Sequence, residues 1–109
     1  MNVRLYFWQR LTAAIMAPLV FVHLCLILYA GGKGLTAAEI LARTRGSLAW
    51  ALFYGLFVAA AAVHASIGLR NVLAEWTRID VRWLDPVAVT AGALLALLGM
   101  RAVYAVVLS

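Results

Sequence analysis

The second apolar stretch of the chain, residues 48–73, reads LAWALFYGLFVAAAAVHASIGLRNVL and contains a single formal charge, at Arg70. A helix needs about 20 predominantly apolar residues to cross the hydrocarbon core of a bilayer, so this stretch predicts a membrane-spanning helix. His64 lies inside it. An ionisable side chain at membrane depth is costly, and it marks a functional site by default. Imidazole is also the usual protein ligand of haem iron.

Two more apolar stretches, residues 6–29 and 86–108, are long enough to cross a membrane. The first exceeds the roughly 7–15 residues of a signal-peptide apolar region, so we expect it to remain in the mature protein. The chain is 67% hydrophobic and 12% charged, whereas soluble domains are about half apolar and about a quarter charged. The sequence therefore predicts an all-α integral membrane bundle of three transmembrane helices, forming a single domain over residues 1–109.

Local signals mark the ends of these spans. Residues 36–39 read TAAE, which is a capping-box pattern and predicts a short interfacial helix in the first loop, roughly residues 37–44. Ser47 is the predicted N-cap of the second span, and Asp85, just before Pro86, is the predicted N-cap of the third. The first span is predicted to end at the glycines that follow it, Gly31, Gly32 and Gly34.

The net charge of +5 does not indicate nucleic acid as a partner, because the basic residues form no continuous basic face. They fit contacts with lipid headgroups and determinants of topology. Five lie in the N-terminal region and second loop and three in the first loop, which predicts a cytoplasmic N-terminus. The two groups are Arg4, Arg10, Arg70, Arg78 and Arg82 against Lys33, Arg43 and Arg45.

In this orientation His23 falls in the outer half of the membrane and His64 in the inner half. At different depths they do not suit one haem, but two stacked haems would use one each, with opposing ligands from another subunit. Small residues at Ala60, Ala61 and Gly68 would let a flat macrocycle approach His64, and they could equally, or at the same time, serve helix packing. The alternative for His23 is an interhelical hydrogen bond or a cofactor-free position near the interface.

Arg101 interrupts the third span at the predicted depth of His23. A charge there needs a partner. A haem propionate would serve, and so would a lipid phosphate reached by snorkelling of the long side chain. The sequence leaves both open.

Two segments carry a resemblance to a known family. They are Gln9-Arg10-Leu11-Thr12-Ala13 at the start of the first span, and the run from His64 to Trp76, which reads HASIGLRNVLAEW. With its size and three-span layout, the chain resembles the membrane-anchor (cytochrome b) subunits of succinate:quinone oxidoreductase, that is, succinate dehydrogenase or fumarate reductase. The resemblance implies that His64 is an axial ligand of haem b, and that His23 makes the chain similar to members with two haems.

The same resemblance implies partners and a second site. The partners are a flavoprotein with covalent FAD, an iron–sulfur subunit and a second anchor subunit, which shares the one or two haems. Electrons from succinate would reach quinone near this chain. The chain itself would be an oxidoreductase subunit that does not act on succinate, in the bacterial inner (cytoplasmic) membrane. In the family an acid–tyrosine pair follows the histidine; here Glu75-Trp76 stands there, and an indole donates but cannot accept a hydrogen bond. The quinone-site and docking candidates are Ser66, Arg70, Glu75 and Trp76, with Arg70 equally suited to a lipid headgroup. The segment from Gln9 to Thr12 could contribute at the same surface.

Two other functions are also compatible with the sequence. The first is a haem-b membrane subunit of a different redox complex, such as a hydrogenase or formate dehydrogenase. The second is a small transporter or scaffold without a cofactor. Proton-coupled export usually needs a carboxylate inside the membrane. It is disfavoured because all four acidic residues lie in predicted loops: Glu39, Glu75, Asp80 and Asp85.

Overall fold

The computed structural model describes residues 3–108, which form four α-helices and no strand. In chain order these are α1 (Val3–Lys33), α2 (Ala37–Thr44), α3 (Leu48–Trp76) and α4 (Val81–Val107). Helices α1, α3 and α4 are long and apolar enough to cross a membrane. The predicted all-α bundle of three spans with a short helix in the first loop is confirmed.

Helix α3 is the central element of the bundle. Both α1 and α4 pack against it and have far less contact with each other, while α2 lies against α4. Contacts between α3 and its two neighbours run in opposite chain directions, so α1 and α4 are parallel to each other and antiparallel to α3. We call the end where α1 and α4 begin the N-terminal end, and the opposite one the first-loop end.

Small residues bring α3 and α4 close together. A Cβ atom built on Gly92 would lie 2.9 Å from Ser66 Cβ, and one built on Gly99 would lie 2.5 Å from Val58 Cγ1. The Ser66 hydroxyl donates a hydrogen bond of 2.8 Å to the carbonyl oxygen of Ala88. Close backbone approach at small residues and hydrogen bonds between helices are what associate helices in lipid, where apolar surface alone gives little drive.

The caps of α2 and α3 are as predicted. Thr36 Oγ1 accepts a hydrogen bond from the Glu39 backbone N–H at 3.2 Å, and the Glu39 carboxylate accepts from the Thr36 hydroxyl at 3.2 Å. Ser47 Oγ accepts from the Trp50 backbone N–H at 3.3 Å. Each hydroxyl satisfies a backbone donor that has no partner within its helix.

The end of α1 differs from the prediction in detail. The helix continues through Gly31 and Gly32 to Lys33, and only Gly34 leaves it, with a φ of +65°. A left-handed residue directly after the last turn is the usual position for a terminating glycine. The first two glycines are ordinary helical residues.

The prediction that Asp85 caps the third span is wrong. Helix α4 begins at Val81, and Asp80 is its N-cap, since the Asp80 side chain accepts from the Arg82 backbone N–H at 3.1 Å. Leu84 is 4% exposed, and its burial against the bundle draws the turn before Pro86 into the helix. Asp85 therefore lies within α4, and its carboxylate does not cap the helix.

The first loop closes over the C-terminal end of α4. Thr44 Oγ1 donates to the Val106 carbonyl and the Gly46 backbone N–H donates to the Val107 carbonyl, both at 2.6 Å. The last carbonyls of a helix have no partner within it, so these two bonds act as a C-cap supplied from elsewhere in the chain. Gly46 makes its bond with a φ of +73°.

Gly46→Ala is expected to lower the free energy of unfolding by about 1–2 kcal/mol, the cost of a left-handed conformation for a residue with a Cβ. Thermal unfolding of the protein in lipid nanodiscs would measure it. Gly31→Ala is the control, because Gly31 is helical and a Cβ there meets nothing within 4 Å. Equal melting temperatures for the two variants would contradict the role assigned to Gly46.

Candidate functional site

His64 lies on the face of α3 that packs against α1. Its Nδ1 atom is 3.1 Å from Thr12 Oγ1. Thr12 is only 4% exposed, and its Oγ1 is also 2.7 Å from the Trp8 carbonyl oxygen, one turn earlier on α1. The half-buried imidazole is thus held to the neighbouring helix through one ring nitrogen. Within residues 3–108, Nε2 has no hydrogen bond.

One turn closer to the N-terminal end, Gly68 meets Gln9 of α1. A Cβ atom at Gly68 would lie 3.4 Å from Gln9 Nε2, so the space beside this glycine holds the Gln9 side chain. The small size of Gly68 therefore serves packing between α1 and α3. Approach of a macrocycle at these small residues stays a prediction. Gln9 Oε1 is buried without a hydrogen-bond partner in the described part of the chain.

His23 also lies between α1 and α3, but nearer the first-loop end of the bundle than His64. Its ring is edge-on to Tyr54 and Phe57, with centroid distances of 5.7 and 5.6 Å. Its Nδ1 is buried, and among residues 3–108 it has no hydrogen-bond partner, so the interhelical bond considered for His23 is not present at this atom. The ring borders a cavity of about 330 Å³ whose other walls include Thr44, Gly99 and Val103.

The two histidines are well separated along the bundle. Thr12, which contacts His64, precedes His23 by eleven residues on α1, which is roughly 16 Å at helical rise. Counting along α3 from Tyr54 and Phe57, which contact His23, to His64 gives roughly 10–15 Å. Axial nitrogens on one iron lie a few ångströms apart, so the two imidazoles of one chain cannot share an iron.

Arg101 is exposed on α4, at the level of the cavity beside His23. Its neighbours Gly99 and Ala102 line that cavity, whereas Arg101 lies on the outside of the helix. Arg101 and His23 therefore lie at the same depth along the bundle, as predicted from the sequence. Its binding to a propionate or a lipid phosphate stays a prediction.

The four quinone-site candidates fall into two groups. Ser66 and Arg70 share the face of α3 that packs on α4: Ser66 donates to the Ala88 carbonyl, and Arg70 Nε lies 2.5 Å from Asp85 Oδ1. Glu75 and Trp76 extend from the last turn of α3 and are exposed, Trp76 by 82%. All four lie toward the N-terminal end of the bundle, the same end as His64. Their role in quinone binding stays a prediction.

The sequence offered the segment with Gln9 and Thr12 only as a contributor to the quinone and docking surface, and did not predict their contacts with α3. It also missed the pairing of Asp85 with Arg70. Hydroxyl and amide side chains in an apolar span were the available signal for the first two, since such groups need partners in lipid. Their partner helix was not readable from the chain.

The described residues contain no cluster of three or more His, Cys, Asp or Glu side chains arranged for a bare metal ion. A haem needs less from this chain, because the porphyrin supplies four ligands and the protein only the axial ones.

Fold and site together define an all-α, multi-pass membrane protein with half-buried histidines at two levels of its helix bundle. Residues 2–106 match the family described as succinate dehydrogenase/fumarate reductase transmembrane subunit. The chain belongs to this family. No curated protein and no solved structure matches it in the corresponding comparisons.

Proposed function

We propose that this chain is the haem-b-binding anchor subunit of a succinate:quinone oxidoreductase and that His64 is an axial ligand of the haem iron. The observation that carries the proposal is the contact between His64 Nδ1 and Thr12 Oγ1. Histidines that bind a metal nearly always engage their second ring nitrogen in a hydrogen bond, which fixes the ring and its tautomer. A half-buried imidazole held through Nδ1, whose Nε2 makes no hydrogen bond within the described part of the chain, fits that requirement.

The second anchor subunit supplies the opposing ligand of this haem. Filling both axial positions with imidazole gives an iron that passes single electrons without binding oxygen. His23 is proposed as the ligand of a second haem, on the support of the adjoining cavity and of its buried Nδ1, which has no hydrogen-bond partner among the described residues. Since the two histidines lie at different levels, one chain would serve two haems stacked across the bilayer, with Arg101 available to the propionates of the outer one.

The flavoprotein and iron–sulfur subunits are proposed to dock at the N-terminal end of the bundle, which faces the cytoplasm. Trp76 would donate its indole N–H to a quinone oxygen, and Arg70 would add positive charge there. The Ser66 hydroxyl already donates to Ala88, so toward a quinol it would act as an acceptor. Glu75, exposed at the end of α3, would carry protons to this site.

Purification of the tagged chain from its native membrane in mild detergent tests the proposal as a whole. We expect a flavoprotein with covalent FAD, an iron–sulfur protein and a reduced-minus-oxidised spectrum of b-type haem in the same fraction. A colourless fraction without these subunits would refute the proposal. A haem spectrum without a flavoprotein would instead assign the chain to a different redox complex.

A further inference from the structure

We propose that Thr12 is the positioning residue of His64: its hydroxyl oxygen accepts the Nδ1–H of the imidazole and so presents Nε2, unprotonated, to the iron. This inference rests on the proposed function, because it concerns the same ligand. It goes further by assigning the tautomer of His64 to one named side chain on another helix.

The assignment follows from counting protons at Thr12 Oγ1. A threonine hydroxyl has one hydrogen to donate and two lone pairs to accept with. Oγ1 is 2.7 Å from the Trp8 carbonyl oxygen and 3.2 Å from that of Gln9, and both carbonyls can only accept. The single hydroxyl hydrogen is therefore committed to α1, in the shorter bond to Trp8.

The contact of 3.1 Å between Oγ1 and His64 Nδ1 also needs a hydrogen. Since the hydroxyl has already donated its own, the hydrogen belongs to Nδ1. A neutral imidazole carries one N–H, so Nε2 holds the lone pair. This is the tautomer that binds iron through Nε2, and it is set before any cofactor is present.

Burial makes Thr12 suited to this role. At 4% exposure it is among the few residues of the described chain that are buried at all, and water has little access to replace its oxygen. A ligand histidine that donates its second N–H is a more basic ligand, which stabilises ferric over ferrous iron. Thr12 thereby lowers the midpoint potential of the haem as well as orienting the ring.

The competing explanation is that the bond merely joins α1 to α3, as polar side chains do between membrane helices. The two explanations predict different outcomes when the acceptor is removed. A structural tie affects the stability of the bundle alone, whereas a positioning residue also changes the potential and the retention of the haem.

The test uses Thr12→Val in the whole purified complex, since valine keeps the shape and removes the oxygen. We expect haem affinity to fall by about 10-fold or more, the usual effect of losing such a partner, and the midpoint potential to rise. Thr12→Ser keeps the hydroxyl and should restore both. The readouts are a redox titration of the haem absorbance and the rate of haem transfer to apomyoglobin.

Thr90→Val is the matched control. Thr90 Oγ1 donates to the carbonyl four residues earlier, that of Pro86, at 2.7 Å, as Thr12 does to Trp8, but Thr90 is exposed. This variant removes the intrahelical bond without touching a histidine, and it should leave potential and haem transfer unchanged.

A Thr12→Val complex with unchanged potential and haem transfer would overturn the inference, whatever its thermal stability. If that variant does not assemble, Thr12→Cys decides in the same way, since a thiol is a weak acceptor. His64→Ala separates this inference from the proposed function. Haem unaffected in His64→Ala refutes the ligand assignment itself, whereas haem lost there but unchanged in Thr12→Val refutes only the role of Thr12.

Discussion

Replacing His64 with alanine is expected to abolish the haem that we propose this residue ligates, while the complex still assembles. The methyl group of alanine cannot bind iron, so the haem would keep at most the one axial ligand that the proposal assigns to the second anchor subunit. In a complex with one haem, the b-type absorbance should disappear. In a complex with two, one of the two components of a redox titration should be missing and the other should keep its potential.

His23→Ala is the control for this experiment. The two residues lie at levels roughly 10–16 Å apart, so removing His23 should spare the haem at His64. Co-purification of the flavoprotein and iron–sulfur subunits would establish that each variant still assembles. Unaltered haem content and potentials in His64→Ala would show that the ligands come wholly from other subunits.

The pair Gly92→Ala and Gly99→Ala is expected to separate α3 from α4. The new methyl groups would lie 2.9 Å from Ser66 Cβ and 2.5 Å from Val58 Cγ1, distances that atoms without a bond cannot keep. Overpacking a tight contact costs about 1–3 kcal/mol at each site. The two sites are seven residues apart on one helix, roughly 10 Å, so their costs should add.

Separation of the helices would also lengthen the bond from Ser66 to the Ala88 carbonyl. Thermal unfolding in nanodiscs would measure the total loss. The control pair is Gly31→Ala with Gly55→Ala, because both are helical glycines at which a Cβ meets nothing within 4 Å. Equal stability of the two double variants would mean that α3 and α4 are not packed through these glycines.

Local sequence signals decided most of the fold. Span length identified three helices, and the caps at Thr36 and Ser47 depend only on residues within one turn. The prediction for Asp85 failed because both Asp80 and Asp85 could cap the start of α4. The choice depends on tertiary packing, namely the burial of Leu84 in the bundle. The proline after Asp85 favoured the wrong one.

For a similar reason, only one of the two residues in the His64–Thr12 contact could be predicted from the sequence. His64 stands out because a titratable group in an apolar run is unusual. Its partner Thr12 could not be predicted, since α1 is apolar around its whole circumference and lipid does not favour one side of such a helix. The rotation of α1, which brings Thr12 rather than a neighbour to His64, is set by packing.

Because both α1 and α4 pack on α3, the helices assemble in a fixed order during synthesis of the chain. Chains leave the ribosome N-terminus first, so α1 enters the bilayer while its packing surface is still being translated. At that point the Thr12 hydroxyl can already donate to the Trp8 carbonyl, since this bond lies within α1. Insertion of α3 brings His64 against α1 before α4 has been made. The contact between His64 and Thr12 can therefore form before translation of the chain ends, ahead of packing between α3 and α4.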